Sequence, residues 1–129
     1  MLHRIIYASR AIGPTGFSTL TLAHILGAAE RNNRRDHVSG GLLIHQGHVL
    51  QVLEGGRADL DRLMRRLQAD RRHTGLRILS DAPTAGRRWH EPMTLCDRPA
   101  VLLDRMGLAS LADLTAEEAV AMLALRNAA

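Results

Sequence analysis

The chain has no lysine: all 17 of its basic side chains are arginine, spread along the sequence rather than massed in a tail. The net charge of +4 at neutral pH permits contact with nucleic acid. A stacking platform for single strands, however, needs aromatics on neighbouring strands, and only Tyr7, Phe17 and Trp89 are present. Nucleic acid is therefore not an expected partner. A single cysteine, Cys96, excludes an intramolecular disulfide, has no thiol partner for a zinc site, and fits a reducing cytoplasm. The seven histidines include no HxxxH pair on a plausible helix, and His45 and His48 flank a turn, so no metal site is expected. No apolar run approaches the roughly 20 residues that span a membrane. The N-terminus also lacks the apolar core of a signal peptide. Repeats and low-complexity segments are missing too. With 129 residues, the chain makes one domain with a real core.

What is present alternates in period. His3 to Ser9 reads as a short buried strand, followed by a Gly/Pro loop and a helix that Ser18 or Thr19 can cap. Leu22, Ile25, Leu26 and Ala29 recur at helical spacing, and the helix is expected to fade at Asn32-Asn33. Val38 to Gly55 reads as a hairpin turning at Gln46-Gly47. A second helix from about Ala58 to Ala69 carries Leu60, Leu63, Met64 and Leu67 on one stripe. Leu76 to Leu79 and the region of Met93 to Leu95 supply a fourth and a fifth strand. The order β-α-β-β-α-β plus one strand predicts an α+β, ferredoxin-like sheet with two helices on one face. Pro99–Gly107 and Thr115–Asn127 read as two short helices that cap the open face, the second opened by a Thr115/Glu118 capping box. A soft join near residue 98 separates a core of residues 1–98 from a C-terminal extension of residues 99–129.

Within the hairpin, Val49, Gln51 and Leu53 share one face by the two-residue period of a strand. An amide between two aliphatic neighbours costs a few kcal/mol unless hydrogen-bonded, so Gln51 needs a partner there. A satisfied core or edge glutamine would explain an isolated case. Gln51 is not isolated.

Four segments, IIYASRA at 5–11, ILGAAERNNRRDHVSGGLL at 25–43, HVLQVLEG at 48–55 and RRLQADRRH at 65–73, follow in order and spacing. In these the chain resembles a short BLUF domain, the family of flavin-based blue-light sensors. The resemblance implies a noncovalent flavin, FAD with FMN left open, and a photoreceptor rather than an enzyme. It makes Tyr7, otherwise a core tyrosine, the electron donor to the photoexcited flavin. Gln51 becomes the amide that bridges phenol and flavin and rearranges in light. Asn33 would bind the pyrimidine edge of the ring with Asn32 as a second contact, although an Asn pair at a helix end also reads as a C-terminal cap. Ile25 and Leu67 would clamp the ring. Arg66 is the first choice for phosphate, because a guanidinium binds it bidentately, and Asp70 for ribityl hydroxyls, with Arg72 and His73 as further contacts. On their own, Arg66 and Asp70 also read as an exposed i,i+4 ion pair.

One stretch departs from the family pattern. Arginine, aromatic, two residues, tryptophan, one residue and methionine are usual, whereas residues 87–93 read Arg-Arg-Trp-His-Glu-Pro-Met. Trp89 matches the first aromatic and is grouped with the photoactive residues. Met93 is the favoured match for the methionine, with Thr94 as the alternative if Pro92 takes the tryptophan place. The implied output is an unidentified partner protein or a change of assembly, with a homo-oligomer expected. A light-inert adaptor, given the missing tryptophan, is one other reading. An acylphosphatase-like hydrolase using Arg10 and Asn33 is another, and it leaves Gln51 unexplained.

Overall fold

In the computed structural model, which describes residues 1–11, 29–70, 73–95, 99–108, 110–111 and 114–128, the chain reverses at Gln46 and Gly47. Their φ angles of 50° and 80° are both left-handed, as a two-residue hairpin turn requires. Strand β2 (Ser39–His45) therefore pairs with β3 (His48–Gly56) from His45 opposite His48 outward. Strands β1 (Leu2–Ala11), β4 (His73–Thr84) and β5 (Thr94–Leu95) complete a sheet of order β4-β1-β3-β2-β5. The first four are antiparallel neighbours in the ferredoxin-like order, and β5 adds parallel to β2. Gly40 lets β2 lie this close, since a Cβ there would stand 2.0 Å from the Val52 carbonyl oxygen.

Strand β4 is far longer than its apolar run Leu76–Leu79 predicts. It is an edge strand, so Gly75 (φ 64°) and Pro83, which has no N–H to give, do not interrupt a central ladder. The expected first helix survives here as residues 29–35, α1; the stripe residues Leu22, Ile25 and Leu26 lie outside the described residues. Cys96 and the expected join near residue 98 lie outside them as well.

Strand periodicity then sorts side chains between two layers. On one face Ile5, Tyr7, Val49 and Leu53 pack with Leu60 and Met64 of α2 (Arg57–Ala69). On the other face Ile6, Leu43, Leu50 and Val52 pack with Leu102 and Leu103 of α3 (Pro99–Arg105), and with Met122 and Leu123 of α4 (Ala116–Ala128). The C-terminal helices thus cover the face that α2 leaves open, as their apolar stripes predict. Thr115 and Glu118 form the expected capping box at the start of α4, with reciprocal bonds of 3.0 and 3.1 Å. No helix among the described residues is long and apolar enough to cross a membrane.

Candidate functional site

Tyr7 and Gln51 are direct cross-strand neighbours in the β1–β3 ladder, and both point to the α2 face, 2% and 7% exposed. The Tyr7 hydroxyl donates to Gln51 Oε1. The other end of the amide, Nε2, donates to Met93 Sδ at 3.8 Å. A thioether is a weak acceptor, so this buried amide carries donor capacity that the protein does not use well. Burial pushes the Tyr7 phenol well above its ordinary pKa, and the negative charge of Asp70 pushes it further. The phenol therefore keeps its proton at any physiological pH.

Met93, rather than Thr94, meets Gln51. Thr94 lies within β5, paired with Gly41. The family spacing is one residue short, and the chain accommodates this by bringing the sulfur to the amide directly.

Asn33 is 2% exposed, and its Nδ2 donates to the Pro92 carbonyl at 2.9 Å. The capping account of the Asn pair does not hold. Both residues are inside the helix, and the left-handed residue after it is His37 (φ 57°). The Asn33 side chain is thus released from backbone duty and aimed at the segment that carries Met93. Asn32, half-buried, points elsewhere, since successive helical residues differ by about 100°.

Arg66 is half-exposed and bridges to Asp36, 3.6 Å away in the turn after α1. Arg35 hydrogen bonds hold Asp36 below the usual carboxylate range, with Arg62 and Arg66 contributing. Asp70 ends α2, its backbone N–H bonding the Leu67 carbonyl at 3.2 Å, and its charge reaches Tyr7. His73 stands edge-on to Tyr7, with ring centroids 6.2 Å apart. Its Nε2 contacts the Leu67 carbonyl and its Nδ1 lies 2.9 Å from Ser9 Oγ. A carbonyl only accepts, so Nε2 carries a proton and the ring is pinned between β1 and the end of α2. Leu67 packs on the same apolar cluster as Tyr7. Ile25 and Arg72 lie outside the described residues.

Trp89 is not brought to this group. It is 4% exposed in the cluster on the opposite face, beneath α3 and α4. Two residues that sequence reasoning passed over are Ser9, the partner of His73, and Glu54, which is fully buried. Each had a signal: Ser9 shares the Tyr7 face of β1, and Glu54 is a carboxylate in phase with Leu50 and Val52.

The donor set suits a planar ring with polar edges. Two buried carboxamides, Asn33 and Gln51, each offer donor and acceptor atoms, and the half-exposed Arg66 guanidinium pairs with Asp36 in the turn that follows the Asn33 helix. A flavin has this chemistry: polar ring edges, an apolar body and a phosphate tail.

The family model for sensors of blue light using FAD, BLUF, matches residues 2–94. Photoactivated adenylate cyclase subunit beta of Euglena longa is 35% identical over 92 residues, covering 69% of this chain but only 11% of that protein. The dark-state structure of the BLUF protein BlrB aligns with a TM-score of 0.77 at 28% identity, over 97% of this chain and 93% of that one. The ground state of BlsA aligns over 100% of this chain and 89% of its own, at TM-score 0.87 and 21% identity, a likeness of fold.

Proposed function

Since this chain belongs to the BLUF family of flavin-dependent blue-light sensors, we propose that Tyr7 and Gln51 are its photoactive pair, acting on noncovalently bound FAD. The sensing domain itself is not catalytic. The single observation that supports this pairing is the buried series Tyr7 hydroxyl, Gln51 amide, Met93 sulfur, in which the amide's donor end meets only a weak acceptor.

Bound flavin, once excited by blue light, supplies an acceptor for one electron and one proton. Tyr7 gives both: a neutral phenol held far from ionisation becomes strongly acidic on losing an electron, so the two leave together and later return. Gln51 accepts from the phenol and, while the phenol lacks its proton, is free to turn. Its new orientation presents a different hydrogen bond to the ring. Asn33 orients the ring edge, and Arg66 and Asp70 hold the phosphate and ribityl parts. Met93 senses the amide and hands the change to β5 and the C-terminal helices, and from there to a partner protein or a second copy of the chain. Only 11% of the Euglena cyclase subunit is matched, so the activity in its name is not carried over to this chain.

Absorption spectra before and after blue illumination test this reading. A yellow protein whose flavin band shifts reversibly to the red is expected; a colourless protein that takes up no flavin would refute it.

A further inference from the structure

Trp89 and Met93 are four residues apart yet enter opposite faces of the sheet. In a regular strand, residues at that spacing would share a face, so the chain turns over between them. Residues 87–93 thus form a strap that begins over the C-terminal helices and ends beside Gln51. Midway, the Glu91 carbonyl accepts from Gly40 N–H at 3.1 Å and the Pro92 carbonyl from Asn33 at 2.9 Å.

The far end is held by one buried carboxylate. Glu54 Oε1 accepts the backbone N–H groups of Arg88 and Trp89, both at 2.8 Å. Its Oε2 takes Arg4 Nε at 2.8 Å and Nη2 at 2.7 Å, and the Arg4 guanidinium lies 5.5 Å from the centre of the Trp89 ring. Arg87 ties the same end from outside, donating to Ser39 Oγ at 2.7 Å and to the carbonyls of Glu54 and His37 at 2.9 and 2.6 Å. Charge-assisted bonds of this kind are about twice as strong as neutral ones. The Met93 end is held by neutral contacts instead: the Pro92 carbonyl to Asn33 at 2.9 Å, the short β5 pairing with β2, and the Met93 sulfur to Gln51 at 3.8 Å.

We propose that Glu54 is a positioning residue of the light response: it clamps the strap at Arg88 and Trp89, so that a displacement begun at Met93 passes forward through β5 into α3. A strap free at both ends divides a displacement between them. Clamped at one end, it delivers the displacement to the other. Trp89 is then part of the fixed end, not the moving one. The inference rests on the reading that Gln51 rearranges in light.

Glu54→Gln leaves one acceptor oxygen for four donors and loosens the clamp. Hydrogen exchange of the FAD-loaded 129-residue chain, in darkness and under blue light, reads the outcome, with the flavin spectrum recorded on the same samples. In the parent, the light-minus-dark difference is expected over residues 99–105 and not over 87–90. In Glu54→Gln the spectrum still shifts, but the exchange difference moves from 99–105 to 87–90. A merely structural role would raise exchange equally in dark and light and move no difference. Arg87→Met, on the outer side of the clamp, should show the same transfer to a smaller extent, and it decides the matter if Glu54→Gln does not fold. If both variants photocycle and keep the parent's difference over 99–105, the clamp is wrong and the photochemistry stands. If the parent itself shows no spectral shift, the Gln51 reading fails and the clamp falls with it.

Discussion

Gln51 and Glu54 lie three residues apart on β3, face opposite sides of the sheet, and are both buried, yet their surroundings treat them in opposite ways. Glu54 meets four donors and has no capacity left. Gln51 accepts from Tyr7 but spends its donor end on a sulfur. Buried polar groups in folded proteins are normally satisfied, and a fully connected network rigidifies what it joins. The saturated face is therefore architecture, fastening the strap and the C-terminal helices to the sheet. The face left with an underused amide is, on the function proposed above, the one where a bound flavin would add what the protein withholds. Burial alone does not separate the two residues; hydrogen-bond saturation does.

The largest expected effect breaks the comparison at Gln51. Gln51→Leu retains approximate volume and removes the amide that can change its bond to the ring. The protein should stay yellow and lose the light-induced red shift completely, with its dark absorption moved to the blue. Tyr7→Phe should lose the same shift through the missing hydroxyl. If both variants photocycle like the parent, the pair is not photoactive.

Breaking it at Glu54 should cost stability instead. Glu54→Ala strands the buried Trp89 N–H and the partly buried Arg88 N–H and removes the partner of Arg4, whose side chain is 25% exposed. The expected loss is about 3 kcal/mol by denaturant unfolding, the lower end for a broken buried ion pair because Arg4 is partly solvated. Whatever fraction remains folded should still show the red shift. Loss of the shift in folded protein would mean that the two faces are not separable.

A third test uses Tyr7 as the only tyrosine. Its folded pKa is raised, so the fold favours the neutral phenol. That contribution is fully present below the ordinary value of about 10 and is lost as pH climbs beyond it. Tyrosinate absorbance should therefore appear only with unfolding, and Tyr7→Phe should lose less stability than the parent above about pH 10. Tyrosinate rising in folded protein near its ordinary pKa would show the phenol to be solvated.

The smallest effect belongs to Arg66. Arg66→Ala removes an exposed pair with Asp36, which surface screening makes worth little, so the unfolding midpoint should not move. Flavin affinity should fall slightly, more at low salt than at high salt. No change in affinity at any ionic strength would take Arg66 out of the cofactor site.

Much of the face that packs on α2 was legible because its signals are local. Gln51 stood out by breaking an apolar alternation, and Leu60 and Met64 by helical spacing. The Asn pair misled as a cap because local propensity cannot tell a left-handed Asn from a helical one followed by His37 (φ 57°). Trp89 was grouped with Met93 through its match to the family's first aromatic, whereas the strap turns over between them and packs Trp89 on the other face. Glu54 passed unweighted because its donors stand 34, 35 and 50 residues away in sequence.

The order of strands and helices, the hairpin turn, and the burial of one tyrosine and one glutamine on strands are all written locally in the chain. Each of those follows from patterns within a few residues, where backbone geometry converts spacing directly into direction. That Tyr7 and Gln51 are ladder neighbours, that Met93 rather than Thr94 reaches the amide, and that Glu54 bonds the strap emerge from the folded chain alone. Those depend on strand register and on where a connection turns over, and they are settled by the packing of residues far apart in the chain.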